Sequence, residues 1–378
     1  MPAPPSPSAI ILAAGYSSRM GEFKPLLELS GLAAIDRVIG LYQAVGVTDI
    51  HVVTGFRSAT IEAAVRSRSV ALVHNPDHDK GMFSSVLAGV RALTEATPAF
   101  FVHPVDIPLV RSHTLSVLLE TGRIHSPAIA YPTFDDRRGH PPLIRGDLKE
   151  AILAHNGDGG LRTLLDRFGD QARDIPVADN GVLLDMDTPD DYAQLSSRSE
   201  TSAILTDDEC RQLMEKVVRL PASIIDHCRQ VARVAVRLAQ AVNTAGAGLD
   251  MSRIRSAALV HDVARLEKNH AAAGARLLEQ MGFPALAEIV AVHMQIHVDE
   301  NSPIDEAQVV HLADKLVSGS NVVNLAKRFD AKLNKYGHDP IVAEKIEQRR
   351  QAALTIQTKI ERAAAATIDQ IIVSKGSR

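Results

Sequence analysis

The chain has 378 residues, of which 46% are hydrophobic and 23% charged, and its formal net charge is −4. Because one hydrophobic core rarely serves a chain of this length, we expect two domains, and because there is no basic excess we expect no nucleic-acid partner. The chain has two isolated cysteines, and its proline-rich start is unlike a signal peptide. It has no apolar run near the roughly 20 residues that span a bilayer. We therefore expect a soluble cytoplasmic protein without a membrane partner.

Short apolar runs alternate with amphipathic stretches between residues 8 and 196. The runs predict strands over residues 9–14, 49–54, 70–74, 99–103 and 128–131. The stretches between them predict helices near residues 33–44, 59–66, 83–94 and 114–121. This alternation favours an α/β domain with a Rossmann-like, mostly parallel sheet and helices on both faces. In such sheets ligands bind beyond the carboxyl ends of the strands.

The first predicted strand leads into a small polar loop at residues 15–21. This loop carries Arg19, and Lys24 follows three residues after its end. A strand end of this kind offers free backbone N–H groups and two cations, which together suit a triphosphate. We therefore expect a nucleotide to bind here.

Two carboxylates lie at predicted element ends. Asp106 follows the strand at 99–103, and Asp187 precedes a predicted helix. Carboxylates that converge beside a triphosphate hold Mg²⁺, which prefers oxygen ligands. An N-cap is the alternative interpretation of Asp187, since the Thr-Pro that follows it is typical of a helix entry.

The second half of the chain has a helical pattern. Residues 197–206 are small and polar and predict a linker, and Thr206 with three following acids predicts a helix start. Apolar residues at three- and four-residue spacing then predict an all-helical domain over 207–335. A helical extension is expected over 336–378, with one long amphipathic helix from about 340 to 373. Pro221 and Pro284 are expected at first helical positions.

Histidines and aspartates interrupt the apolar pattern of these helices. The pair His261-Asp262 lies inside one apolar helix and Asp314 inside another. Burying them without a partner would cost free energy, so a metal or a charged partner is implied. Imidazoles and carboxylates from separate helices suit Mn, Fe, Mg, Co or Zn. His297 and His311 are possible metal ligands in place of one of the others; the alternative interpretation is that each is a surface histidine.

The motifs of the first half, taken in order, resemble the MobA-like nucleotidyltransferases, and within them the molybdenum-cofactor cytidylyltransferases. The matching motifs are Leu12-Ala13-Ala14-Gly15-x-Ser17-x-Arg19-Met20-Gly21, Lys24, Gly81-Met82-x-Ser84-Ser85, Pro104-Val105-Asp106-Ile107-Pro108, Gly139-His140-Pro141, Gly157-Asp158-x-Gly160-x-Arg162 and Asp185-x-Asp187-Thr188-Pro189-x-Asp191. The resemblance covers about residues 8–195. It implies transfer of a nucleotidyl group from an NTP to a phosphorylated acceptor such as molybdopterin, with release of pyrophosphate.

The resemblance also implies roles for single residues. Arg19 and Lys24 would neutralise the triphosphate as catalytic groups beside Asp106, and Asp106 and Asp187 would bind Mg²⁺. The implied nucleotide contacts are Leu12, Ala13, Ala14, Gly15, Ser17, Arg19, Lys24, Ser84, Ser85 and Asp106, and the implied acceptor contacts are His140, Asp158 and Arg162. Ala14 stands where guanylyl-transferring relatives tend to carry Gly, which favours CTP. An ordinary helix cap is the alternative for Ser84 and Ser85.

Residues 221–320 resemble the HD superfamily of metal-dependent phosphohydrolases. The implied metal ligands are His227, His261, Asp262, His270, His293 and Asp314, with Asp262 also catalytic. One or two divalent metals would hydrolyse a phosphate mono- or diester. Ala264 and Arg265 stand where Gly and Lys are frequent, which leaves the substrate contacts open. Lys315 is either a phosphate contact or a lysine on a helix face.

The leading hypothesis is therefore a bifunctional enzyme, a Mg²⁺-dependent nucleotidyltransferase joined to an HD phosphohydrolase. One alternative keeps the transferase fold and changes the acceptor to a sugar, polyol or lipid-headgroup phosphate. A second alternative makes the HD half a nucleotide- or metal-sensing module without turnover. A molybdenum enzyme or a second copy of the chain are the expected protein partners.

Overall fold

The computed structural model describes residues 6–373 and divides into two units between Ser202 and Ala203. This division falls inside the stretch predicted as a linker, residues 197–206. The linker prediction is too long at its start, because a helix that begins at Pro189 continues through Glu200. Each unit has its own secondary structure and is described separately.

From residue 6 onward, the first unit contains ten strands and seven helices. The strands are β1 Ser8–Leu12, β2 Glu28–Leu29, β3 Leu32–Ala33, β4 Asp49–Thr54, β5 Ala71–His74, β6 Ala99–Pro104, β7 Ile129–Phe134, β8 Arg137–Arg138, β9 Leu143–Arg145 and β10 Ala172–Pro176. The helices are α1 Ala34–Ala44, α2 Ser58–Val65, α3 Met82–Ala92, α4 Ser112–His125, α5 Lys149–Leu153, α6 Gly160–Asp166 and α7 Pro189–Glu200. Single 3₁₀ turns lie at Lys24–Leu26, His78–Lys80, Gly146–Leu148, Gly169–Gln171 and Asn180–Leu183.

Eight of the strands form one sheet in the order β10-β7-β9-β6-β1-β4-β5, with β8 paired to β7. β1 pairs in parallel with β4 and β6, and the pairs β4–β5 and β7–β10 are also parallel. Only β8 and β9 run antiparallel to their neighbours in this sheet. The prediction of a mostly parallel sheet is therefore confirmed, whereas β8, β9 and β10 were not predicted.

Helices cover both faces of the sheet, as predicted. Ala9 and Ile11 pack in one buried cluster with residues of α1, α2 and α4, whereas Ile10 and Leu12 pack in another with residues of α3, α5 and α6. Successive strand residues point to opposite faces, so a strand buried on both faces is apolar throughout. This explains the continuous apolar run of β1.

The second unit is helical apart from one short hairpin. Its elements are α8 Asp207–Gln212, a wider π-helical turn at Leu213–Val217, α9 Ala222–Thr244, α10 Met251–Val260, α11 His270–Gln280, α12 Pro284–Val292, α13 Glu306–Lys315, β11 Val317–Ser318, β12 Asn321–Val322, α14 Leu325–Tyr336, α15 Pro340–Ala364 and α16 Ile368–Val373. The helical character of this domain is confirmed, and the short hairpin of β11 and β12 is an addition that the sequence pattern did not predict. Within residues 6–373, no helix has the length and apolar character needed to cross a membrane.

Helix boundaries in the second unit follow local capping. α8 starts after Thr206, as predicted, and Thr206 and Glu209 form a capping box there. Pro284 occupies the first turn of α12, but Pro221 is the N-cap of α9 and not its first residue. The single long helix predicted over 340–373 is wrong: Ala365 adopts a left-handed conformation with φ +49° and ends α15. Predicted helical residues 374–378 lie outside the described part.

Candidate active sites

The loop after β1 is folded by its own polar groups. The Ser17 carbonyl accepts hydrogen bonds from the N–H groups of Met20 and Gly21 at 3.1 and 3.2 Å. The Ser17 hydroxyl accepts another from the N–H of Lys24 at 3.1 Å. These bonds hold Arg19 and Lys24 at the carboxyl end of β1, where the sequence predicted them.

Asp106 and Asp187 meet at this loop. The Lys24 ammonium donates to Asp106 Oδ2 at 3.0 Å and to Asp187 Oδ1 at 2.7 Å, and Arg19 donates to Asp187 Oδ2 at 2.7 Å. The N–H of Met186 also donates to the Asp106 carbonyl at 2.9 Å, which ties the two acidic segments together. The predicted convergence of the two carboxylates is present.

Asp187 is not a helix cap. Thr188 caps α7, and its side chain and that of Asp191 form the reciprocal bonds of a capping box. The N-cap interpretation of Asp187 therefore fails, and its carboxylate is left to contact Arg19 and Lys24.

The charges at this site are strongly coupled. The hydrogen bond from Lys24 lowers the pKa of Asp187, with help from Arg19. Burial would lower the pKa of Lys24, but its contacts with both carboxylates raise it. Partial burial and the charges of Asp187 and Asp106 raise the pKa of Asp185. The carboxylates of Asp106 and Asp187 converge on one cationic group, the Lys24 ammonium. The same pair of carboxylates fits a single divalent cation such as Mg²⁺.

Two cavities adjoin these residues and share Leu12, Met82 and Pro104 in their walls. The first, of about 300 Å³, is lined by the predicted nucleotide contacts Leu12, Ala13, Ala14, Gly15, Ser17, Arg19, Lys24, Ser85 and Asp106, and by Asp187. The second, of about 680 Å³, is lined by His140 and Arg162, both predicted acceptor contacts. Two adjacent spaces thus open at the residues for which a nucleotide and an acceptor were predicted.

Two predicted contacts line neither cavity. The Ser84 hydroxyl accepts from Asn75 and donates to backbone carbonyls before α3, but it is not a helix cap, because Gly81 is the N-cap of α3 and no side chain caps this helix. Asp158 accepts a hydrogen bond from the Asn156 side chain at 2.6 Å in an exposed loop. His140 is largely buried, which lowers the pKa of its imidazole, so this side chain faces the second cavity uncharged.

Sequence reasoning missed several residues at this site. Asn75 follows β5 and donates to Ser85 at 2.9 Å, so it positions the start of α3; its place just after a predicted strand was the available signal. Tyr16 and His78 also line the first cavity, with their ring centroids 5.3 Å apart. No sequence pattern indicated that these two rings meet.

The second centre gathers all six predicted metal ligands from five helical elements. His227 lies in α9, His261-Asp262 follow α10, His270 begins α11, His293 follows α12 and Asp314 lies in α13. Five of the six form two overlapping ligand groups, His227–His261–Asp262 and Asp262–His270–His293, and within each group the ligand atoms lie within 4.8 Å of one another. Asp314 Oδ1 lies 3.2 Å from His227 Nε2 and 3.9 Å from His261 Nε2. Asp262 is shared, as a carboxylate that bridges two metals would be.

Three of these imidazoles are oriented in the same way. The Nδ1 atoms of His227, His261 and His293 lie 2.9, 2.8 and 2.6 Å from backbone carbonyls, to which they can donate. This leaves each Nε2 available as a ligand. Among the described residues, the buried Nε2 atoms of His261 and His293 and Oδ1 of Asp262 have no hydrogen-bond partner. Buried unpartnered ligand atoms that face one another fit divalent metals.

Burial and charge prepare these groups to bind cations. Burial lowers the pKa of His261 to about 4, so its imidazole is neutral near pH 7. Burial would raise the pKa of both aspartates, but neighbouring histidines and cations hold the pKa of Asp262 and Asp314 below the usual range. Neutral imidazoles beside ionised carboxylates are the protonation states that metal binding requires.

Two expectations for this centre need correction. Lys315 is buried and donates to Asp314 Oδ2 at 2.6 Å and to the His293 carbonyl at 3.0 Å, so it positions a ligand and is not a lysine on an open helix face. His311 is fully buried, whereas a surface position was expected, and it belongs to neither ligand group. His297 is exposed.

Comparison with known proteins matches both halves of the chain. Residues 9–173 match the model of the MobA-like NTP transferase domain, and residues 224–319 match that of the HD domain. Molybdenum cofactor cytidylyltransferase of Escherichia coli (strain K12) is 30% identical over 192 residues, which are 50% of this chain and 95% of that protein. Nicotine blue oxidoreductase of Paenarthrobacter nicotinovorans is 30% identical over 200 residues, 50% of this chain and 97% of that protein. A solved nucleotidyl transferase from Methanothermobacter thermautotroptrophicus is 25% identical with a TM-score of 0.45, covering 52% of this chain and 98% of its own.

Proposed function

The chain belongs to the MobA-like NTP transferase family and carries an HD domain, and on this premise we propose that its first unit transfers CMP from CTP to a phosphorylated acceptor such as molybdopterin. The observation that carries the proposal is the contact of Lys24 with both Asp106 and Asp187. Two relatives of equal identity are named for different activities, so the proposal rests on the residues of the site. Two carboxylates and two cations beside the loop at the end of β1 suit nucleotidyl transfer.

In this mechanism the protein binds and orients the reactants. Arg19 and Lys24 exchange their carboxylate contacts for triphosphate oxygens, and Asp106 and Asp187 hold Mg²⁺, which when bound neutralises charge on the phosphates. The acceptor lies in the second cavity, where Arg162 pairs with its phosphate. An acceptor oxygen then forms a bond to the α-phosphorus in line with the departing pyrophosphate. Positioning and charge neutralisation supply the rate enhancement.

The first prediction concerns Asp187. Asp187→Asn removes one carboxylate charge and weakens the contacts that orient Arg19 and Lys24, so release of pyrophosphate from CTP and acceptor should fall about 100-fold. Asp190→Asn is the matched control, since this exposed neighbour in α7 contacts neither cation. Pyrophosphate release is measured with each NTP in turn. Equal rates for the Asp187 variant and the control would refute the assignment.

A second acceptor class is favoured by the wall of the second cavity. Arg137, Arg138 and Arg162 line it, and three guanidinium groups suit any phosphorylated acceptor. A sugar, polyol or lipid-headgroup phosphate would bind by the same contacts. A panel of phosphorylated acceptors, each tested with every NTP, separates these candidates from molybdopterin.

For the HD domain we propose metal-dependent hydrolysis of a phosphoester. The unpartnered ligand atoms of His261, Asp262 and His293 carry this proposal. Metals bound there would activate water and neutralise phosphoryl oxygens. The neighbouring cavity of about 330 Å³, into which His227, Asp262 and Asp314 open, gives space for a phosphate.

The second prediction tests this site. The wild-type chain should bind two divalent metals and hydrolyse a phosphoester, whereas Asp262→Asn, which alters the shared ligand, should lose both metals and hydrolysis while retaining transfer. Glu279→Gln, on the exposed side of α11, is the control. Metal analysis and a phosphoester screen are run on the same samples. Bound metal without turnover on any substrate would favour the sensing module.

A further inference from the structure

The cavity beside the six metal ligands is strongly cationic. Five basic side chains line it: Arg265, Lys315, Arg328, Lys332 and Arg349. The carboxylates in its wall are Asp262 and Asp314, both assigned to the metals. Since metals would neutralise these two acids, the basic groups retain an excess of positive charge that favours an anionic ligand.

Three of the basic residues have partners within the fold, and the first is Arg265, whose Nη1 donates to His270 Nε2 at 3.2 Å. Lys315 donates to Asp314 and to a backbone carbonyl, as described above. Arg328 Nη1 donates to the carbonyls of Asp314 at 2.6 Å and Lys315 at 2.9 Å, and also to that of Val317. These contacts hold the end of α13 in place, so the side chains of Lys315 and Arg328 are already engaged within the fold.

Lys332 and Arg349 are different. They come from α14 and α15, and both are half-buried. Within residues 6–373, the Lys332 ammonium lies 5.9 Å from the centre of the Phe329 ring and contacts no carboxylate, and the buried Nε of Arg349 has no hydrogen-bond partner. Burial and the charges of Arg328, Lys315 and Arg349 lower the pKa of Lys332 to about 8. Cations brought together without anions destabilise a fold unless a ligand pairs with them.

We propose that Lys332 and Arg349 bind the second phosphate of a diphosphate whose first phosphate lies at the metals. A monoester would place its one phosphate at the metals and leave both cations unpaired. A diphosphate pairs both cations with its second phosphate, and inorganic pyrophosphate is small enough for this cavity of about 330 Å³. This diphosphate site rests on the proposed HD hydrolysis and names its substrate. That substrate includes pyrophosphate, which the proposed transfer releases.

The hydrolysis balances with water alone. One bond forms between the oxygen of water and the reacting phosphorus, and the bridging P–O bond breaks. The leaving phosphate keeps the bridging oxygen and its electron pair, paired with Lys332 and Arg349. Two orthophosphates result, and the protons of water pass to phosphate or solvent.

The test compares a diphosphate with a monoester on the full, metal-loaded chain. Lys332→Gln and Arg349→Gln should each lower kcat/KM for inorganic pyrophosphate by about 10- to 100-fold and change that for 4-nitrophenyl phosphate by less than about 2-fold. Arg350→Gln is the matched control, because Arg350 is the next residue of α15 but pairs with Asp330 at 3.2 Å and lies outside the cavity wall. CDP is a third substrate, and its rate relative to pyrophosphate distinguishes a nucleotide from the inorganic anion.

Each outcome decides the inference. Loss on either diphosphate with the monoester spared supports it, and equal loss on all substrates, or no loss, overturns it. Hydrolysis of the monoester without any diphosphate hydrolysis overturns the inference and leaves the proposed HD function standing. If nothing is hydrolysed, the proposed HD function fails. The Kd of pyrophosphate is then compared between the wild-type chain and the two variants, and unchanged binding in both variants overturns the diphosphate subsite.

Discussion

His103 lies in β6, three residues before Asp106. Its ring lies between the Tyr42 hydroxyl, 3.0 Å from Nδ1, and the Ile107 carbonyl, 2.9 Å from Nε2. Nε2–H donates to the carbonyl, and Nδ1 accepts from Tyr42, so a neutral imidazole satisfies both contacts. This side chain therefore closes the turn that presents Asp106 to the nucleotide loop.

The pH dependence of stability should report this histidine. Burial lowers the pKa of His103 from 6.5 to about 4. In the unfolded chain the His103 imidazole takes up a proton near its ordinary pKa of 6.5, whereas in the folded chain it does so only near pH 4. The contribution of the neutral His103 to the free energy of unfolding is therefore fully present above pH 7 and is lost as pH falls from 6.5 toward 4. The linked free energy is about 3 kcal/mol.

Urea unfolding of the full chain at about pH 7.5 and about pH 4.5 measures this effect. His103→Gln should lower stability at the higher pH and reduce the loss on acidification relative to wild type. Other buried histidines also titrate, so the acid-induced loss of stability of His103→Gln is compared with that of the wild-type chain. His125→Gln, exposed at the end of α4, should behave as wild type. Identical acid losses in all three chains would contradict the role of His103.

At the scale of elements, α3 packs on the sheet through a glycine. A Cβ added at Gly89 would lie 2.4 Å from Ile10 Cγ2 and 3.1 Å from Val53 Cγ2, so the helix backbone approaches β1 and β4 closely. The first turn of α3 carries Ser85 to the nucleotide cavity. The close approach therefore sets the depth of that cavity.

The corresponding prediction pairs two glycines. Gly89→Ala should destabilise the protein by about 1–3 kcal/mol, because the methyl group overpacks against the strands, and should weaken nucleotide binding by displacing α3. Gly40→Ala in α1, where an added Cβ meets nothing within 4 Å, should be neutral or stabilise by up to about 1 kcal/mol. Urea midpoints and the Kd of CTP measure both effects. Equal behaviour of the two variants would show that α3 tolerates a larger separation.

The break between α15 and α16 shows how tertiary contacts override an amphipathic pattern. Residues 340–373 have helical composition throughout, and Ala365 is itself a strong helix former. The Glu361 side chain accepts from the N–H of Ile368 at 2.9 Å, and α16 buries Ile368, Ile371 and Ile372. Burial of these three side chains offsets the left-handed conformation at Ala365.

At the scale of the whole molecule, one chain carries two units with separate cores, and each unit has its own candidate site. Their covalent union fixes a one-to-one ratio of the two active sites. If the HD domain consumes pyrophosphate, it removes a product of transfer and draws that reaction forward. This coupling acts through the concentration of pyrophosphate and requires no contact between the units.

Much of the fold follows from local patterns. A strand buried on both faces must be apolar along its length, and a helix that packs on one side must repeat its apolar residues every three to four positions. For this reason the five main strands, the helices between them and the helical second half were predictable. Short strands such as β8 and β9 carry too few residues to show a period.

Which side chains meet depended instead on how distant elements pack. Lys24 and Asp187 are 163 residues apart, and motif resemblance placed them together without showing their contact or the release of Asp187 from the cap of α7. Lys332 and Arg349 carry no motif at all, and their shared cavity arises from the packing of α14 and α15 beside α13. Sequence periodicity records burial within one element, whereas the approach of charges from several elements depends on the complete three-dimensional packing of the core.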